Sequence, residues 1–171
     1  MADAVSFCVF RIASGLLALD ALLVGEVVEF EGLTPLPGCQ RAVLGLANLR
    51  GRALAVLDLG LVLGDATPGV SPGGASLTAL VLRLPGSESG LVVGRVDGVF
   101  AADPAGRRSA NRAAEPAWIA GFQHFQGQPG QPPLVAAIID PGELGRRLDR
   151  LRFTRGPAPV PARFASSGNP A

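Results

Sequence analysis

The sequence predicts an all-β fold with short helices, and three observations lead to this prediction. Short apolar runs recur between turns rich in the 23 glycine and 15 proline residues, a spacing that is typical of a barrel or a sandwich. No stretch shows the apolar period of a long amphipathic helix. A pattern of strand, turn, strand, aspartate and short helix occurs twice, which predicts two related sub-barrels in one chain.

Seven apolar runs are predicted strands. The first two form a hairpin across residues 13–15, and the fourth and fifth form another across the tight connection at residues 50–52. Residues 34–38 contain two prolines and interrupt any regular element after the third run. The last two runs are predicted to pair across residues 85–90. The seven runs comprise residues 5–12, 16–20, 26–30, 44–49, 53–57, 77–84 and 91–100.

Three segments are predicted to be irregular, namely residues 65–76, residues 103–116 and everything beyond residue 153. Proline, alanine, glycine and serine dominate residues 154–171, which are therefore predicted to be a disordered tail. A chain of 171 residues can form one domain with a sizeable core. We expect one domain over residues 1–153, divided into sub-barrels at roughly residues 15–85 and the remainder.

The repeated pattern has an aspartate at the same point in each copy. Residues 45–51 are followed by an apolar run that ends at Asp58, and residues 121–127 are followed by one that ends at Asp140. An aspartate between a strand and a helix is a natural N-cap, because its carboxylate accepts hydrogen bonds from free amides of the first turn. Both aspartates are predicted to be helix caps. With only two copies, chance similarity is the alternative.

Composition excludes several classes of protein. Fifteen basic residues, all of them arginine, and fourteen acidic residues leave a net charge of +1, without the concentrated basic charge that nucleic-acid binding needs. The most apolar stretch, residues 16–30, contains three acidic residues and is too short to span a membrane. The N-terminus lacks a signal-peptide pattern. We expect a cytoplasmic protein that neither binds nucleic acid nor inserts into the membrane.

Residues that carry enzyme chemistry are scarce. The chain has no lysine and therefore no phosphate-binding loop of the Gly-Lys type. Cys8 and Cys39 show no metal-binding or redox spacing. His124, the single histidine, is flanked by Phe122 and Phe125 and is predicted to be partly buried and structural. No catalytic, cofactor or metal site is predicted, and a small hydrolase that uses His124 with a cysteine is the alternative.

Several motifs resemble the CheW-like family of coupling proteins in bacterial chemosensory systems. The most specific block is Val43-Leu44-Gly45-Leu46-Ala47-Asn48-Leu49-Arg50-Gly51, followed by Ala55-Val56-Leu57-Asp58-Leu59. The resemblance covers about residues 5–148. The other matching segments are Phe7-Cys8-Val9-Phe10, Leu17-Ala18-Leu19-Asp20, Val24-Gly25-Glu26-Val27, Thr34-Pro35-Leu36-Pro37, Gly90-Leu91-Val92-Val93 through Val96, and residues 134–140.

This resemblance implies two SH3-like five-stranded β-barrels with short helices. It also implies a non-catalytic adaptor, without a cofactor, that couples chemoreceptors to a histidine kinase of the CheA type. The implied partners are that kinase, the cytoplasmic tip of a chemoreceptor and other CheW-like domains. The protein would then be recruited from the cytoplasm to chemoreceptor arrays.

Two residues depart from the family pattern. Gly60 stands where the family often has arginine, and Gly94 stands where it usually has an acidic residue. Each departure removes a charge that serves either a partner contact or an internal ion pair. A divergent protein that binds only the receptor or only the kinase is therefore one alternative, and a detached regulatory domain of a kinase is another.

Six residues are predicted to bind partners, and Arg50 and Glu26 are the principal ones. Arg50 lies at a predicted hairpin tip, where its side chain can reach a partner, and its counterpart in the second copy is Gln126. A feature needed for the fold should recur in both copies, whereas a binding feature need not. Glu26 matches a glutamate of the family that faces partners. The structural alternative is that Arg50 pairs with Glu26 to fix two strands, and the two roles are compatible.

The remaining four predicted residues are Val24, Val27, Leu46 and Asn48. The three apolar residues would add contact area to the partner-binding surface, with burial in the core as the alternative. Asn48 has the alternative of bonding the local backbone at the turn, as asparagine often does.

Overall fold

The computed structural model describes residues 5–65, 76–84, 87–102, 104–126 and 132–153. Most of these residues are in strands, which confirms the all-β prediction. The elements are β1 (Ser6–Ile12), β2 (Gly15–Asp20), β3 (Val24–Phe30), β4 (Val43–Leu49), β5 (Arg52–Asp58), α1 (Leu59–Leu63), β6 (Leu77–Leu84), β7 (Ser87–Val92), β8 (Arg95–Ala101), β9 (Arg107–Ser109), β10 (Ile119–Phe125), β11 (Leu134–Ile139) and α2 (Pro141–Phe153).

The strands form two sheets with the same plan. One sheet has the order β3-β6-β7-β5-β4, and the other has the order β8-β1-β2-β11-β10-β9. Each sheet contains one parallel pair, β5 with β7 and β2 with β11, at the same place in the order. Strands β3, β6, β7, β5 and β4 therefore correspond to β8, β1, β2, β11 and β10. We call β3–β7 the first sub-barrel, and β8–β11 with β1 and β2 the second sub-barrel.

The second sub-barrel takes its strands from two distant parts of the chain. Strands β8–β11 are consecutive, whereas the hairpin β1–β2 precedes the whole first sub-barrel. In the first sub-barrel the equivalent hairpin, β6–β7, is the next described element after α1. The second sub-barrel is therefore a circular permutation of the first. The sequence analysis divided the sub-barrels at roughly residues 15–85 and the remainder, whereas the sheets place β2 in the second sub-barrel and β7 in the first. The extent of the whole domain, residues 1–153, stays a prediction.

The repeated glycine of the sequence pattern has the same structural task in both sub-barrels. A Cβ atom added at Gly45 would lie 2.5 Å from the carbonyl oxygen of Thr34, and one added at Gly121 would lie 2.5 Å from the carbonyl oxygen of Arg108. Only glycine allows a second backbone to approach so closely. In the first sub-barrel this approach places Thr34 opposite Leu46, and two backbone hydrogen bonds of 2.8 Å join them. The residues after β3 thereby pair with β4 and close the barrel.

The two predicted helix caps are confirmed. The side chain of Asp58 accepts a hydrogen bond of 3.0 Å from the amide of Leu61 at the start of α1. The side chain of Asp140 accepts one of 2.8 Å from the amide of Glu143 at the start of α2. The repeat noted in the sequence therefore reflects two equivalent strand–helix junctions.

The largest buried cluster lies between the two sub-barrels. It joins Phe10 and Leu19 of the second sub-barrel to Leu80 and Leu82 of the first, and Leu144 of α2 packs into it. Two smaller clusters fill the interiors of the individual sub-barrels. Because burial of apolar surface is the main stabilising contribution to folding, we expect the two sub-barrels to unfold together.

Helix α2 also ties the two halves together through polar contacts. The guanidinium of Arg147 donates hydrogen bonds of 3.2 and 3.0 Å to the carbonyl oxygens of Val62 and Leu63, which lie in α1. Glu143 accepts hydrogen bonds from Arg146 and Arg147, and these two arginines lower the pKa of its carboxyl group. The side chain of Arg147 thus satisfies carbonyls that α1 leaves free at its end.

Replacing Asp140 with alanine should reduce the free energy of unfolding by about 1 kcal/mol, because the first turn of α2 loses its cap. Replacing Asp149, an exposed residue of the same helix, should leave stability unchanged or slightly raised, since acidic residues near a helix C-terminus are unfavourable. Urea denaturation of both variants measures the difference. Equal losses would show that the Asp140 carboxylate does not act as a cap.

Three strand predictions need correction. Residues 85–90 were expected to be a connection, but β7 begins at Ser87, which pairs directly with Leu84. The run 91–100 was expected to be a single strand, but β7 ends at Val92 and β8 begins at Arg95. The chain turns at Val93 and Gly94 because β7 and β8 belong to different sub-barrels. The stretch 103–116 was expected to be irregular, yet it contains β9, which pairs with β10. Most of the predicted irregular segment 65–76 and the whole tail 154–171 lie outside the described residues.

Within the part of the chain that the structure describes, no helix is long and apolar enough to cross a membrane.

Candidate partner-binding site

The turn between β4 and β5 holds Arg50 in an unusual backbone conformation. Arg50 and Gly51 have φ angles of 51° and 83°, as a two-residue hairpin of type I′ requires. Arg50 is the single non-glycine residue with positive φ among the described residues. The side chain of Asn48 accepts a hydrogen bond of 2.7 Å from the amide of Gly51 and steadies the turn. Asparagine or glycine would suit position 50 better than arginine, so the turn alone does not explain Arg50.

Arg50 forms a two-pronged ion pair with Glu26. Its Nη2 lies 2.7 Å from Oε2 of Glu26, and its Nη1 lies 3.3 Å from Oε1. The Arg50 side chain is 76% exposed, whereas that of Glu26 is 19% exposed. Glu26 therefore fixes the orientation of a guanidinium group that remains open to solvent. The ion pair predicted as the structural alternative is present.

The position of Glu26 explains why it is covered. Glu26 pairs across the sheet with Val81, a residue of the first sub-barrel's interior, and directly paired residues share a face of the sheet. Glu26 thus lies on the inner face of the barrel. Since β3 and β4 are the two edge strands of this sheet, the contact joins one edge strand to the turn that follows the other.

The second sub-barrel has neither member of this ion pair. In each sheet one residue of the edge strand is skipped in the pairing, Gly25 in β3 and Asp97 in β8. Aligning the two skipped residues makes Gly98 the counterpart of Glu26. On the matching hairpin, Gln126 is the counterpart of Arg50. The backbone frame therefore recurs in both sub-barrels, whereas the charged pair occurs in one.

The other predicted residues differ in their surroundings. Val27 is 46% exposed, while Val24 is half-buried and packs against the cluster between the sub-barrels. Leu46 is half-buried on β4 and bonds Thr34 through its backbone. Asn48 is exposed and makes the local bond to Gly51. The structure therefore brings Arg50, Glu26 and Asn48 together around the hairpin.

Two surface features near these elements were missed in the sequence. Leu22, in the turn before β3, is 91% exposed, because the side chain of Asp20 holds that turn by accepting a bond from the Leu22 amide. Arg52 pairs with Glu88 at 3.0 Å, which places a second exposed ion pair beside the same hairpin. The exposure of Leu22 was not predicted because Leu22 lies within the apolar run 16–30. The pairing of Arg52 with Glu88 was not predicted because the two residues are far apart in the sequence.

The residues considered for catalysis differ in their surroundings. His124 is exposed on β10, opposite Val135 of β11; the expectation of partial burial was wrong because its side chain alternates to the outer face of the strand. Cys8 is buried in the cluster between the sub-barrels, and burial raises the pKa of its thiol. Among the described residues, no three His, Cys, Asp or Glu side chains are placed to hold a metal ion.

Comparison with known proteins identifies the family. The model of the CheW-like domain matches residues 6–148. The chain belongs to the CheW-like family. Among solved structures, its CheW-like domain is similar to the scaffolding protein TtCheW from Thermoanaerobacter tengcongensis, with 24% identity, a TM-score of 0.66, and coverage of 84% of this chain and 89% of that chain. A search of curated proteins gives no significant match. Family membership supports a scaffold or adaptor role in chemotaxis signal transduction.

The two departures from the pattern of CheW-like domains meet at one place. Gly60 and Gly94 line the same small cavity, together with Asp58. A Cβ atom at Gly60 would lie 2.9 Å from the carboxylate of Asp65, and one at Gly94 would lie 3.2 Å from the carbonyl oxygen of Arg11. A side chain at either position would therefore contact other atoms of the protein.

Proposed function

We propose that the chain is a non-catalytic adaptor that couples chemoreceptors to a CheA-type histidine kinase, and that the surface around Arg50 binds a partner. The observation that carries this proposal is the ion pair of Arg50 with Glu26, which occurs in one of two otherwise matching sub-barrels. Barrel closure alone does not require the pair, since the second sub-barrel closes without it. The pair is therefore better explained by recognition than by folding.

The chemistry of the pair suits protein recognition. Arginine is enriched at the energetic centres of protein interfaces, where its planar donors meet carboxylates and carbonyl oxygens. Glu26 occupies two guanidinium nitrogens and leaves the rest of this exposed group for a partner. Holding the side chain in advance lowers the entropy that binding must overcome. Val27 follows Glu26 on β3 and points to the opposite, outer face of that strand, where it is exposed and offers apolar contact area. We include Val27, Val24, Leu46 and Asn48 in the partner-binding surface.

The location of Gly60 and Gly94 supports binding of both partners. If the two family charges serve an internal ion pair, as their shared cavity suggests, then their joint loss removes no surface contact. Nothing in the described surface then distinguishes this chain as a binder of one partner only. We propose that it acts in the cytoplasm at receptor arrays, where other CheW-like domains are further possible neighbours.

Binding to each partner alone tests this proposal. The chain is tagged and used to capture, in separate experiments, a chemoreceptor cytoplasmic fragment and a CheA-type kinase from the same genome. We expect capture of both. Capture of only one would identify a divergent adaptor with a single partner, and capture of neither would contradict the adaptor function. Binding to the receptor together with displacement of the kinase's own CheW-like domain would favour a detached regulatory domain.

A further inference from the structure

Five charged residues surround one end of the first sub-barrel. Arg83 and Arg52 each lie two positions along their strand from a residue of the sub-barrel's interior, so their side chains point to the inner face. Glu88 pairs across the sheet with Arg83 and therefore shares that face. Together with Glu26 and Arg50, these residues form what we call the charged rim. It contains three arginines and two glutamates.

One arginine of the charged rim has no counter-ion. Each of the two glutamates is already held by one arginine, Glu26 by Arg50 and Glu88 by Arg52. Arg83 is exposed, and among the described residues it forms no ion pair. Its side chain lies against the backbone of β3, since a Cβ atom added at position 25 would be 2.6 Å from its Nε. The rim therefore carries one excess positive charge.

The second sub-barrel shows how this arginine is neutralised within the fold. Arg11 is the counterpart of Arg83 when the two skipped residues of the edge strands are aligned. The skipped residue there is Asp97, whose carboxylate lies 3.0 Å from Nε of Arg11 and also pairs with Arg95. In the first sub-barrel the skipped residue is Gly25, which offers no carboxylate. The arginine is thus kept in both sub-barrels, whereas its counter-ion is present in one.

The other charges of the rim are not needed to close a barrel at this end. The four equivalent positions of the second sub-barrel are uncharged, namely Leu16, Gly98, Gln126 and Leu134. The two leucines pack against the interior cluster of that sub-barrel. Charge at this end of the first sub-barrel is therefore better explained by recognition than by folding.

We propose that a carboxylate of the partner protein binds Arg83 above Gly25, so that the surface around Arg50 recognises an acidic segment. This inference rests on the proposed function, because it names the chemistry of the partner that binds there. The partner's aspartate or glutamate completes a third ion pair of the rim and takes the place that Asp97 has in the second sub-barrel. Charge-assisted hydrogen bonds of this kind are roughly twice as strong as neutral ones.

Cross-linking tests this contact directly, because the chain contains no lysine. Arg83→Lys introduces a single side-chain amine, and a carbodiimide joins that amine only to a carboxylate in direct contact. The variant is mixed separately with a chemoreceptor cytoplasmic fragment and with a CheA-type kinase from the same genome, and mass spectrometry locates the links. We expect a link to an aspartate or glutamate of at least one partner. Arg11→Lys is the matched control and should link within the chain, to Asp97. A link from Arg83→Lys to Glu88 of the same chain alone, or no link, would overturn the inference.

Affinity provides the second measurement, by calorimetric titration of the same two partners. Arg83→Gln should raise the Kd for the partner that cross-links by about tenfold or more. Gly25→Asp should raise it similarly, because it supplies the carboxylate from within the chain. Arg41→Gln removes an exposed arginine before β4 and should leave the Kd unchanged, and thermal unfolding checks that each variant is folded.

The outcomes separate this inference from the adaptor function. If the natural chain binds a partner and Arg83→Gln binds it equally well, the acidic contact is overturned and the adaptor function stands. Equal weakening by Arg83→Gln and Arg41→Gln would also overturn the contact, since it would reflect net charge alone. If the natural chain binds neither the receptor fragment nor the kinase, both proposals fail.

Discussion

Replacing Gly45 with alanine should destabilise the protein by about 4 kcal/mol, which is a large part of the stability of a typical domain. The added Cβ would lie 2.5 Å from the carbonyl oxygen of Thr34. The contact can be relieved only by moving the backbone that pairs Thr34 with Leu46, so the cost combines overpacking with two weakened hydrogen bonds. Gly45 also has a φ of 151°, which adds strain for any other residue.

Gly15 provides a matched control for this substitution. It has the same φ of 151°, but no atom lies within 4 Å of the position of an added Cβ. Gly15→Ala should therefore show only the conformational cost, about 1 to 2 kcal/mol. Urea denaturation gives both free energies of unfolding. If Gly45→Ala and Gly15→Ala cost the same, the close approach of β4 to Thr34 does not hold the first sub-barrel closed.

Replacing Arg50 with glutamate should abolish recruitment into receptor–kinase complexes and leave the fold intact. The ion pair with Glu26 involves a side chain that is 76% exposed, and exposed pairs contribute about 0 to 1 kcal/mol to stability. Loss of a central arginine from an interface, in contrast, weakens binding by about 2 kcal/mol or more. Co-sedimentation with receptor and kinase measures recruitment, and thermal unfolding measures the fold.

Three further variants separate recognition from folding. Arg52→Glu breaks the neighbouring exposed pair with Glu88 and should leave recruitment unchanged. Arg50→Asn suits the positive φ of this turn, so it should match or exceed the natural chain in stability, by up to about 1 kcal/mol, and still fail to be recruited. Arg50→Glu combined with Glu26→Arg restores an ion pair with reversed charges. Recovered recruitment in this double variant would mean that the pair only supports the hairpin.

Local patterns in the sequence were sufficient to predict the hairpins β1–β2 and β4–β5 and the two caps. Asp58 and Asp140 follow apolar runs and precede helices, and each capping bond spans only three residues. The turn at Val93 and Gly94 was missed because apolar residues continue on both sides of it. Its cause is a change of sub-barrel, which is a non-local property. The apolar pattern of the sequence also does not show that β1 and β2 belong to the second sub-barrel. That assignment depends on the pairing of β2 with β11, which is distant in the sequence.

The candidate site was predictable only where its contacts join residues that are close in the sequence. Arg50 and Asn48 lie in one hairpin, and the turn signature places them at its tip. The contact with Glu26 spans 24 positions, and the sequence offered it only as one alternative. The skipped residue at position 25 decides which face of β3 Glu26 occupies, and that irregularity has no distinct sequence signal. Gly60 and Gly94 were noticed separately, and their shared cavity emerged only from the fold.

The most direct test of the adaptor function is sedimentation of the kinase with receptor-containing membranes. Kinase and membranes are mixed with no adaptor, with the natural chain, with Arg50→Glu or with Arg52→Glu, and the kinase in the pellet is measured. We predict that the kinase sediments with the natural chain and with Arg52→Glu, and that it stays in the supernatant in the other two mixtures. Equal sedimentation of the kinase with Arg50→Glu and with the natural chain would contradict the role assigned to the Arg50 surface, and no sedimentation above the adaptor-free level with the natural chain would contradict coupling itself.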